Sequence, residues 1–398
     1  MAYKNKNIDI IPNDYKLNFN NVTGTFRNNI SPLEPGVSHG YIAGGFTNTA
    51  PPVPPPYSSY GASITSNINK FNFAAKNDAL SVADLTVLRA DAVGNSSPTH
   101  GYNSGGLERA AYSPSSPPQF ATSYYPPYRA PTPYYYNITI VQSTNTVDKH
   151  SFGTTVTSVD VGDLTQARHR SSGASSSSHG YVSGGLAVAH PGAPSPPLNT
   201  TVNNSNIIDK FPFSSDANSS DVGDLTTSLN SVAGQQSSAN GYSVGGTTGQ
   251  TTPLTHLNVI EKFPFASDAN SSNISDLTVA RSSSSGHFSS THGYTSGGDI
   301  QTPPYGNPTP SLISNVIDKF PFASDDNATD VGDLNNVTFA ATGLSSPTEG
   351  FAAGGTVNLS SYPTRGNIYH WPFASDANSS QFFGIASPRG GGSGTQGG

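Results

Sequence analysis

The chain has 398 residues, of which 33% are hydrophobic and only 11% are charged, and its formal net charge is -7. Its 18 Lys and Arg are spread along the whole length, so they form no basic stripe that could neutralise a nucleic-acid backbone. Cysteine is absent and no stretch is apolar for long enough to cross a membrane, so we expect no disulfide, no thiolate metal site and no membrane insertion.

The N-terminal segment, residues 1–19, is predicted to be an arm that precedes the folded part. It lacks the apolar core and the small-residue cleavage site of a secretory signal. We therefore expect a soluble protein made in the cytoplasm of the producing cell, unless a leader was removed before residue 1. The strand-like stretch LNFNNVTGTF (17–26) comes next, and it can be aligned with VGDLT and the strand that follows it in the later repeats.

Two landmarks recur six times and divide residues 20–387 into repeats. The first is a Gly-Gly doublet after an aromatic residue, and it ends at Gly45, Gly106, Gly185, Gly246, Gly298 and Gly355. The second lies in an I-x-K-F-P-F phrase, at Lys70, Lys149, Lys210, Lys262, Lys319 and, diverged, His370. Each Lys precedes the next doublet by 36 residues, whereas the connection from a doublet to the next Lys or His varies from 15 to 43 residues. A rigid unit thus alternates with one variable loop.

The composition of the unit predicts four short β-strands, as in SSSSGHFSS (282–290), GYTSGG, NVIDKF and a VGDLT-like segment. Small residues in the first strand would let several sheets converge on an axis, and phenylalanines such as Phe320 and Phe322 would pack one sheet on the next. The proline between them would end the strand, and the Asp/Asn/Ser cluster that follows would form a turn.

Six units predict an all-β, six-bladed β-propeller over residues 20–387, in which one terminus completes a blade begun by the other. Residues 388–398 are expected to be a Gly-rich C-terminal tail.

Two groups of residues could bind metal. The Asp/Asn cluster offers oxygen ligands suited to calcium, at Asp216, Asn218, Asp221 and Asp224, with relatives at Asp325, Asn327, Asp330 and Asp333. Turn formation explains it better, because Asx side chains bond their own backbone and no bidentate Glu follows. The second group is His39, His100, His179 and His292, which precede Gly-Tyr. Asn240 and Glu349 replace His in two repeats, so we expect solvated turn residues there, and no metal or cofactor.

Catalysis is not expected either. A copper radical oxidase site needs a Cys linked to a Tyr, sialidase-like sites need an Arg cluster and Trp-containing Asp boxes, and no G-x-S-x-G elbow is present.

The variable loops are rich in Pro and Tyr, notably at 47–63, 113–137, 190–200 and 300–310. Tyrosine combines a large apolar ring with a hydroxyl, and proline lowers the entropy lost on ordering, which favours binding surfaces. The predicted partner-binding residues are Tyr124, Tyr125, Tyr128, Tyr134, Tyr135, Tyr136, Tyr57, Tyr60 and Tyr305. The longest loop, 107–137, is expected to make the principal contact; the alternative is a set of solubilising loops that bind nothing.

The repeat resembles two groups of known proteins. The Arg-containing LTVAR (277–281), the Gly-Gly doublet and the aromatic-bearing third strand are similar to the kelch repeat of β-propellers, although kelch units place a Tyr and a Trp where F-P-F stands here. The sequence motifs NVIDKFPFASD, DVGDLT and THGYTSGG resemble repeats in virion proteins of marine tailed bacteriophages, especially cyanophages.

The phage resemblance implies a structural or adsorption role in the virion, at a tail, neck, fibre or capsid. The expected partners are other virion proteins and a host-surface glycan or protein receptor, within a larger assembly. The alternative is an extracellular adhesin or filament subunit with a glycan-binding propeller.

Overall fold

The computed structural model describes residues 38–47, 63–111, 139–152, 158–189, 201–248, 255–301, 312–357 and 364–397. The chain divides into two units, of which Met1–Ser31 lies outside the described residues and Pro32–Gly398 contains all of them. The regular secondary structure of the described residues is entirely β, which confirms the all-β prediction. The predicted N-terminal arm and the stretch 17–26 lie outside the described residues.

Six sheets, numbered here 1 to 6, each place four antiparallel strands side by side in the order first, second, third, fourth. Sheet 1 contains Ser393–Gly397, His39–Ala43, Asn67–Asn72 and Leu80–Asp84, and sheet 2 contains Val93–Ser96, His100–Ser104, Thr146–Ser151 and Val159–Asp163. Sheet 3 contains Ser172–Ser175, His179–Ser183, Thr201–Pro212 and Ser220–Leu229, and sheet 4 contains Ala233–Gln236, Asn240–Val244, Val259–Pro264 and Ser272–Asp276. Sheet 5 contains Ser285–Phe288, His292–Ser296, Val316–Pro321 and Thr329–Asp333, and sheet 6 contains Thr342–Ser345, Glu349–Ala353, Asn367–Pro372 and Ser380–Gly384. The strand order predicted for the unit that begins at residue 282 is confirmed in sheet 5.

The C-terminal segment differs from the prediction. Ser393–Gly397 was expected in a Gly-rich tail, but it is the first strand of sheet 1 and pairs with His39–Ala43. Its register joins Ala43 to Ser393 and His39 to Gly397. The tail therefore belongs to the folded part, because its glycines fit the crowded position that a first strand occupies.

The first strands of the six sheets contact one another in a closed cycle, from sheet 1 through sheet 6 and back to sheet 1. Each has a glycine at its second position, namely Gly394, Gly94, Gly173, Gly234, Gly286 and Gly343. A Cβ atom on any of these glycines would collide with the carbonyl oxygen of the corresponding glycine in the preceding sheet. Only glycine permits this approach of one backbone to another.

The aromatic residues pack neighbouring sheets together. The Tyr of each H-G-Y strand, or Phe351 in sheet 6, lies against the second aromatic residue of the F-P-F phrase in the next sheet. Tyr102 stacks on Phe213 with ring centroids 4.8 Å apart, and its hydroxyl donates to the Phe213 carbonyl at 3.4 Å. Phe351 meets Phe73 at 4.6 Å, so sheet 6 packs on sheet 1 in the same way. The core therefore lies between sheets.

The S-D-A-N turn that follows F-P-F joins two sheets. In sheet 3, Asp216 accepts from Lys149 Nζ of sheet 2 at 2.5 Å, and Asn218 Oδ1 accepts from the Asp163 backbone N–H of sheet 2 at 3.1 Å. The same Lys–Asp pair recurs as Lys210–Asp268, Lys262–Asp325 and Lys319–Asp376. The F-P-F motif and its turn recur because the turn of each repeat binds the preceding sheet.

Short ribbons form the bases of several variable loops. Leu107–Ala111 pairs with Thr139–Ser143, and Leu186–Ala189 pairs with the start of Thr201–Pro212. The other short strands are Phe46–Thr47, Ser63–Ile64, Arg89–Ala90, Asp299–Gln301, Leu312–Ile313 and Arg389–Gly390. The connections between second and third strands therefore leave these sheets as antiparallel hairpins.

Candidate functional site

The connections that lead into the first strands form a closed ring of backbone hydrogen bonds. Its members are Asp91, Arg170, Ser231, Ser283, Ala340 and Gly391. The N–H of each donates to the carbonyl of the member before it, and Asp91 N–H donates to Gly391, with N···O distances of 2.7 to 2.9 Å. The ring thus joins the connections into all six sheets.

All six ring residues have left-handed backbone, with φ between 52° and 64°. Five of them are not glycine, although this conformation is unfavourable for residues with a Cβ. Such backbone persists only where the surroundings hold it, and it is concentrated at functional sites. The hydrogen-bonded ring supplies that constraint here.

Buried ion pairs stabilise the connections that contain the ring residues. The residue two positions before each ring residue is called here the anchor position. Four anchor positions are fully buried arginines, Arg89, Arg168, Arg281 and Arg389, and the other two are Leu229 and Thr338. Arg168 Nη2 lies 3.1 Å from Asp209, and Arg281 Nη2 lies 2.8 Å from Asp318; each carboxylate belongs to the third strand of the next sheet. The register of the third strand shifts directly before that acidic residue, as at a β-bulge.

The Gly-Gly doublet fixes the same connection. In each sheet the second glycine donates its N–H to the carbonyl of the anchor position, as Gly106 does to Arg168 at 2.9 Å. Burial lowers the pKa of Arg389 to about 10. Its Nη2 donates to the neutral side chain of Asn69 and not to a carboxylate. The LTVAR arginine and the Gly-Gly doublet, two separate motifs of the sequence, thus stabilise the same connection.

The ring contributes to the wall of a pocket of 320 Å³. The six ring residues line it together with the residues that follow them, such as Ser171 and Ser284. Phe46, Thr356 and Thr364, from second-to-third connections, and Phe339 complete the wall. A pocket of this size is at the lower end of the range for small-molecule sites.

One side of the pocket is charged and the rest is small. Arg170 Nε donates to Asp91 Oδ2 at 3.0 Å, and the Asp91 side chain is 9% exposed while that of Arg170 is 45% exposed. The other four ring positions are Ser, Ser, Ala and Gly. The lining therefore has one ion pair and several hydroxyls, with no net charge from Asp, Glu, Lys or Arg.

A buried histidine supports the charged side. His169 precedes Arg170, and Ser143 Oγ lies 2.9 Å from its Nδ1. Burial, together with the smaller effect of the positive charge of Arg170, lowers the pKa of His169 to about 3. His169 is therefore neutral at physiological pH and holds its connection by hydrogen bonds.

The Asp and Asn residues that were considered as possible calcium ligands lie outside the ring pocket. Asp216 and Asn218 bind sheet 2, whereas Asp221 Oδ1 accepts from the Gly223 N–H within its own strand at 3.2 Å. The related Asp325 binds Lys262, Asn327 accepts from the Asp276 N–H, and Asp330 accepts from the Gly332 N–H. Asp224 and Asp333 contribute their N–H groups to Asn270 and Asn378 of the next sheet. Within the described ranges, no three His, Cys, Asp or Glu side chains form a group that could hold a metal ion.

The four histidines before Gly-Tyr are partly buried at the start of second strands. In three of them Nδ1 lies 2.8 Å from the hydroxyl of the preceding Ser or Thr, and in His39 the distance is 2.6 Å. Burial lowers the pKa of each, and the Lys of the same sheet lowers it further. In His39, Nε2 also lies 3.3 Å from Asn72 Nδ2 of the third strand of sheet 1.

The predicted partner-binding tyrosines, Tyr124, Tyr125, Tyr128, Tyr134, Tyr135, Tyr136, Tyr57, Tyr60 and Tyr305, lie outside the described residues. In contrast, the ring pocket was not predicted. Its members differ from repeat to repeat, so a search for repeated motifs does not find them. Their shared position, two residues after the position that Arg281 occupies in LTVAR, is the signal that identifies them.

Comparison with known proteins found no protein-family model and no curated protein that matches the chain. In the part of the chain that is described, no helix is long and apolar enough to span a membrane.

Proposed function

We propose that the six sheets are the blades of one closed, kelch-like β-propeller that serves as a non-enzymatic binding scaffold in a phage virion. The observation that carries the fold is the closed ring of six N–H···O=C hydrogen bonds, which runs through Gly391 and Asp91 without a gap. The C-terminal strand in sheet 1 adds a second closure between the ends of the chain.

The kelch-like assignment is supported by the roles of its landmarks. The arginine of LTVAR is Arg281, which is fully buried and paired with Asp318 of the next sheet. The Gly-Gly doublet bonds the anchor connection in all six sheets. Phe residues of F-P-F stand in the region of the repeat where a kelch unit has its Tyr and Trp, and Trp371 stands in place of the first Phe in sheet 6.

The binding role is supported by where the variable connections emerge. Second-to-third connections and the connections between sheets supply the wall of the same pocket, so the variable loops leave the propeller at the ring end. The Tyr-rich residues 113–137 continue from the ribbon of Leu107–Ala111 and Thr139–Ser143. An aromatic-rich segment on a rigid stem is suited to hold a neighbouring subunit or a host receptor.

The role in the particle follows from the phage resemblance of the repeats. We infer that the protein is made in the host cytoplasm and resides in the virion, where its partners are other virion proteins and a host-surface receptor. The sequence motifs that resemble cyanophage repeats, such as NVIDKFPFASD (315–325), support this inference.

Shortening the longest loop tests the binding role. Residues 114–136 are replaced by a short Gly-Ser linker that joins the two strands of the ribbon. A matched control keeps the length of the loop and replaces its Tyr124, Tyr125, Tyr128, Tyr134, Tyr135 and Tyr136 by Ser. Both variants should keep the parent melting temperature, since loop length has little effect on stability.

Incorporation into purified particles and attachment of those particles to host cells are then compared with the parent. Loss of either activity in both variants is the expected result. If both variants assemble and attach like the parent, the loop is a spacer and the proposed contact is wrong. If only the shortened variant fails, the length of the loop and not its aromatic chemistry is what matters.

A further inference from the structure

The ring pocket carries features that neither the closure of the sheets nor the loop contacts require. A closed ring needs only backbone groups, yet the pocket has an ion pair at one side and hydroxyls around it. Ser284 lines the pocket, and its buried Oγ has no hydrogen-bond partner within the described part of the chain. Both Nη atoms of Arg170 are likewise without a hydrogen-bond partner there.

The charge of the lining selects for a neutral ligand. Asp91 and Arg170 neutralise each other, so neither an anion nor a cation gains a net attraction in the pocket. A phosphate or sulfate group would meet the Asp91 carboxylate as well as the guanidinium. A purely apolar ligand would cover the ion pair and leave its spare hydrogen-bonding capacity unsatisfied.

The hydrogen-bonding groups select for a ligand that both donates and accepts. A carboxylate accepts only, a guanidinium donates only, and serine hydroxyls do both. An ion pair whose carboxylate and guanidinium lie side by side can accept from one hydroxyl and donate to its neighbour. Vicinal hydroxyls present that arrangement.

The apolar part of the wall selects for a ligand with a C–H face. Phe46 and Phe339 line the pocket together with Ala92, Val232 and Ala341. Pyranose rings combine equatorial hydroxyls with an apolar face of C–H groups, and they fit a pocket with a few placed polar groups in an apolar wall. We propose that the ring pocket binds one neutral saccharide residue, with two vicinal hydroxyls on Asp91 and Arg170. The proposal goes beyond the binding scaffold, because it depends on the ring pocket and not on the Tyr-rich loops.

Saturation-transfer NMR on the full chain tests the proposal. The probes are the methyl glycosides of glucose, galactose and mannose, N-acetylglucosamine, and the anionic N-acetylneuraminic acid. We expect transfer to at least one neutral probe, and a loss of affinity of about tenfold or more in Asp91→Asn and in Arg170→Gln. Asp326→Asn, in an exposed turn after the third strand of sheet 5, is the matched control and should leave binding unchanged.

Ala340→Asn keeps the test decisive if either charge variant folds poorly. Asn tolerates the left-handed backbone at φ 52°, and its side chain would occupy space in the pocket, so it should block binding without loss of stability. The proposal is overturned if no neutral probe shows transfer, if only N-acetylneuraminic acid binds, or if binding survives in Asp91→Asn and Ala340→Asn. Because the variant with the shortened loop keeps the ring, it should bind the sugar like the parent, which separates failure of this proposal from failure of the loop contact.

Discussion

Replacing Gly173 by Ala should open the contact between the first strands of sheets 2 and 3. A Cβ built on Gly173 lies 2.6 Å from the Gly94 carbonyl oxygen and 2.5 Å from Val93 Cγ1. An ordinary C···O contact is about 3.3–3.6 Å, so the strands must separate by about 0.7–1.0 Å. Because the first strands form a closed cycle, the displacement has to be absorbed by the other contacts of the cycle. We expect a loss of about 1–3 kcal/mol in the free energy of unfolding, as for other overpacked cores.

Gly384→Ala is the matched control. Gly384 lies in the fourth strand of sheet 6, where the nearest atom to an added Cβ is the Gly366 carbonyl oxygen at 3.4 Å. This substitution should be neutral or stabilise by up to about 1 kcal/mol, because it reduces the flexibility of the unfolded chain. Urea unfolding followed by circular dichroism measures both variants. Equal stability changes in the two would refute the argument that first-strand glycines are required by close approach.

Asp148→Asn should lower the free energy of unfolding in urea by about 3–5 kcal/mol, because it leaves Arg89 buried without its charge partner. Asp216→Asn, in an exposed ion pair, should lower it by about 1 kcal/mol or less. Equal losses in the two variants would contradict this prediction. Burial lowers the pKa of His287 to about 4, so the stability from this neutral ring is complete above pH 6.5 and is lost as the pH falls from 6.5 toward 4, by about 3 kcal/mol. Unfolding at pH 7 and pH 4.5 should show a smaller difference for His287→Gln than for the parent, and an unchanged difference would be inconsistent with that pKa. Deletion of residues 388–398 should lower the melting temperature by about 10 °C or more, since it removes a strand and an anchor arginine, and a parent-like melt would mean that the segment is a dispensable tail.

The repeating part of the fold could be predicted because each element has its own local signal. The strand SSSSGHFSS is small and polar, GYTSGG ends in a glycine pair, and NVIDKF carries β-branched and aromatic residues, so their order follows from the sequence of one unit. The recurrence of the same order six times removes the ambiguity of any single short strand.

The C-terminal strand could not be recognised by composition, since RGGGSGTQGG has the glycine content of a flexible tail. Spacing would have identified it. In every repeat a glycine of the first strand stands five residues after the anchor position, as Gly286 does after Arg281, and Gly394 has the same relation to Arg389. The chemistry of a first strand favours small residues, which is why strand and tail look alike.

The ring pocket was beyond local reasoning for a different reason. Asp91 and Arg170 are separated by a whole repeat and meet only because two sheets converge. The meaning of the Asp/Asn cluster was likewise hidden, because Asp216 and Asn218 act on the preceding sheet and not on their own turn alone. Contacts between repeats depend on how the units are arranged, which a single unit does not specify.

An experimental density map of the full-length protein tests most directly the claim that six sheets close into one ring through the C-terminal strand. The account predicts six four-stranded sheets around a closed ring of backbone hydrogen bonds, with Ser393–Gly397 beside His39–Ala43. A different number of sheets, or a C-terminal segment that pairs with no strand of sheet 1, would contradict it.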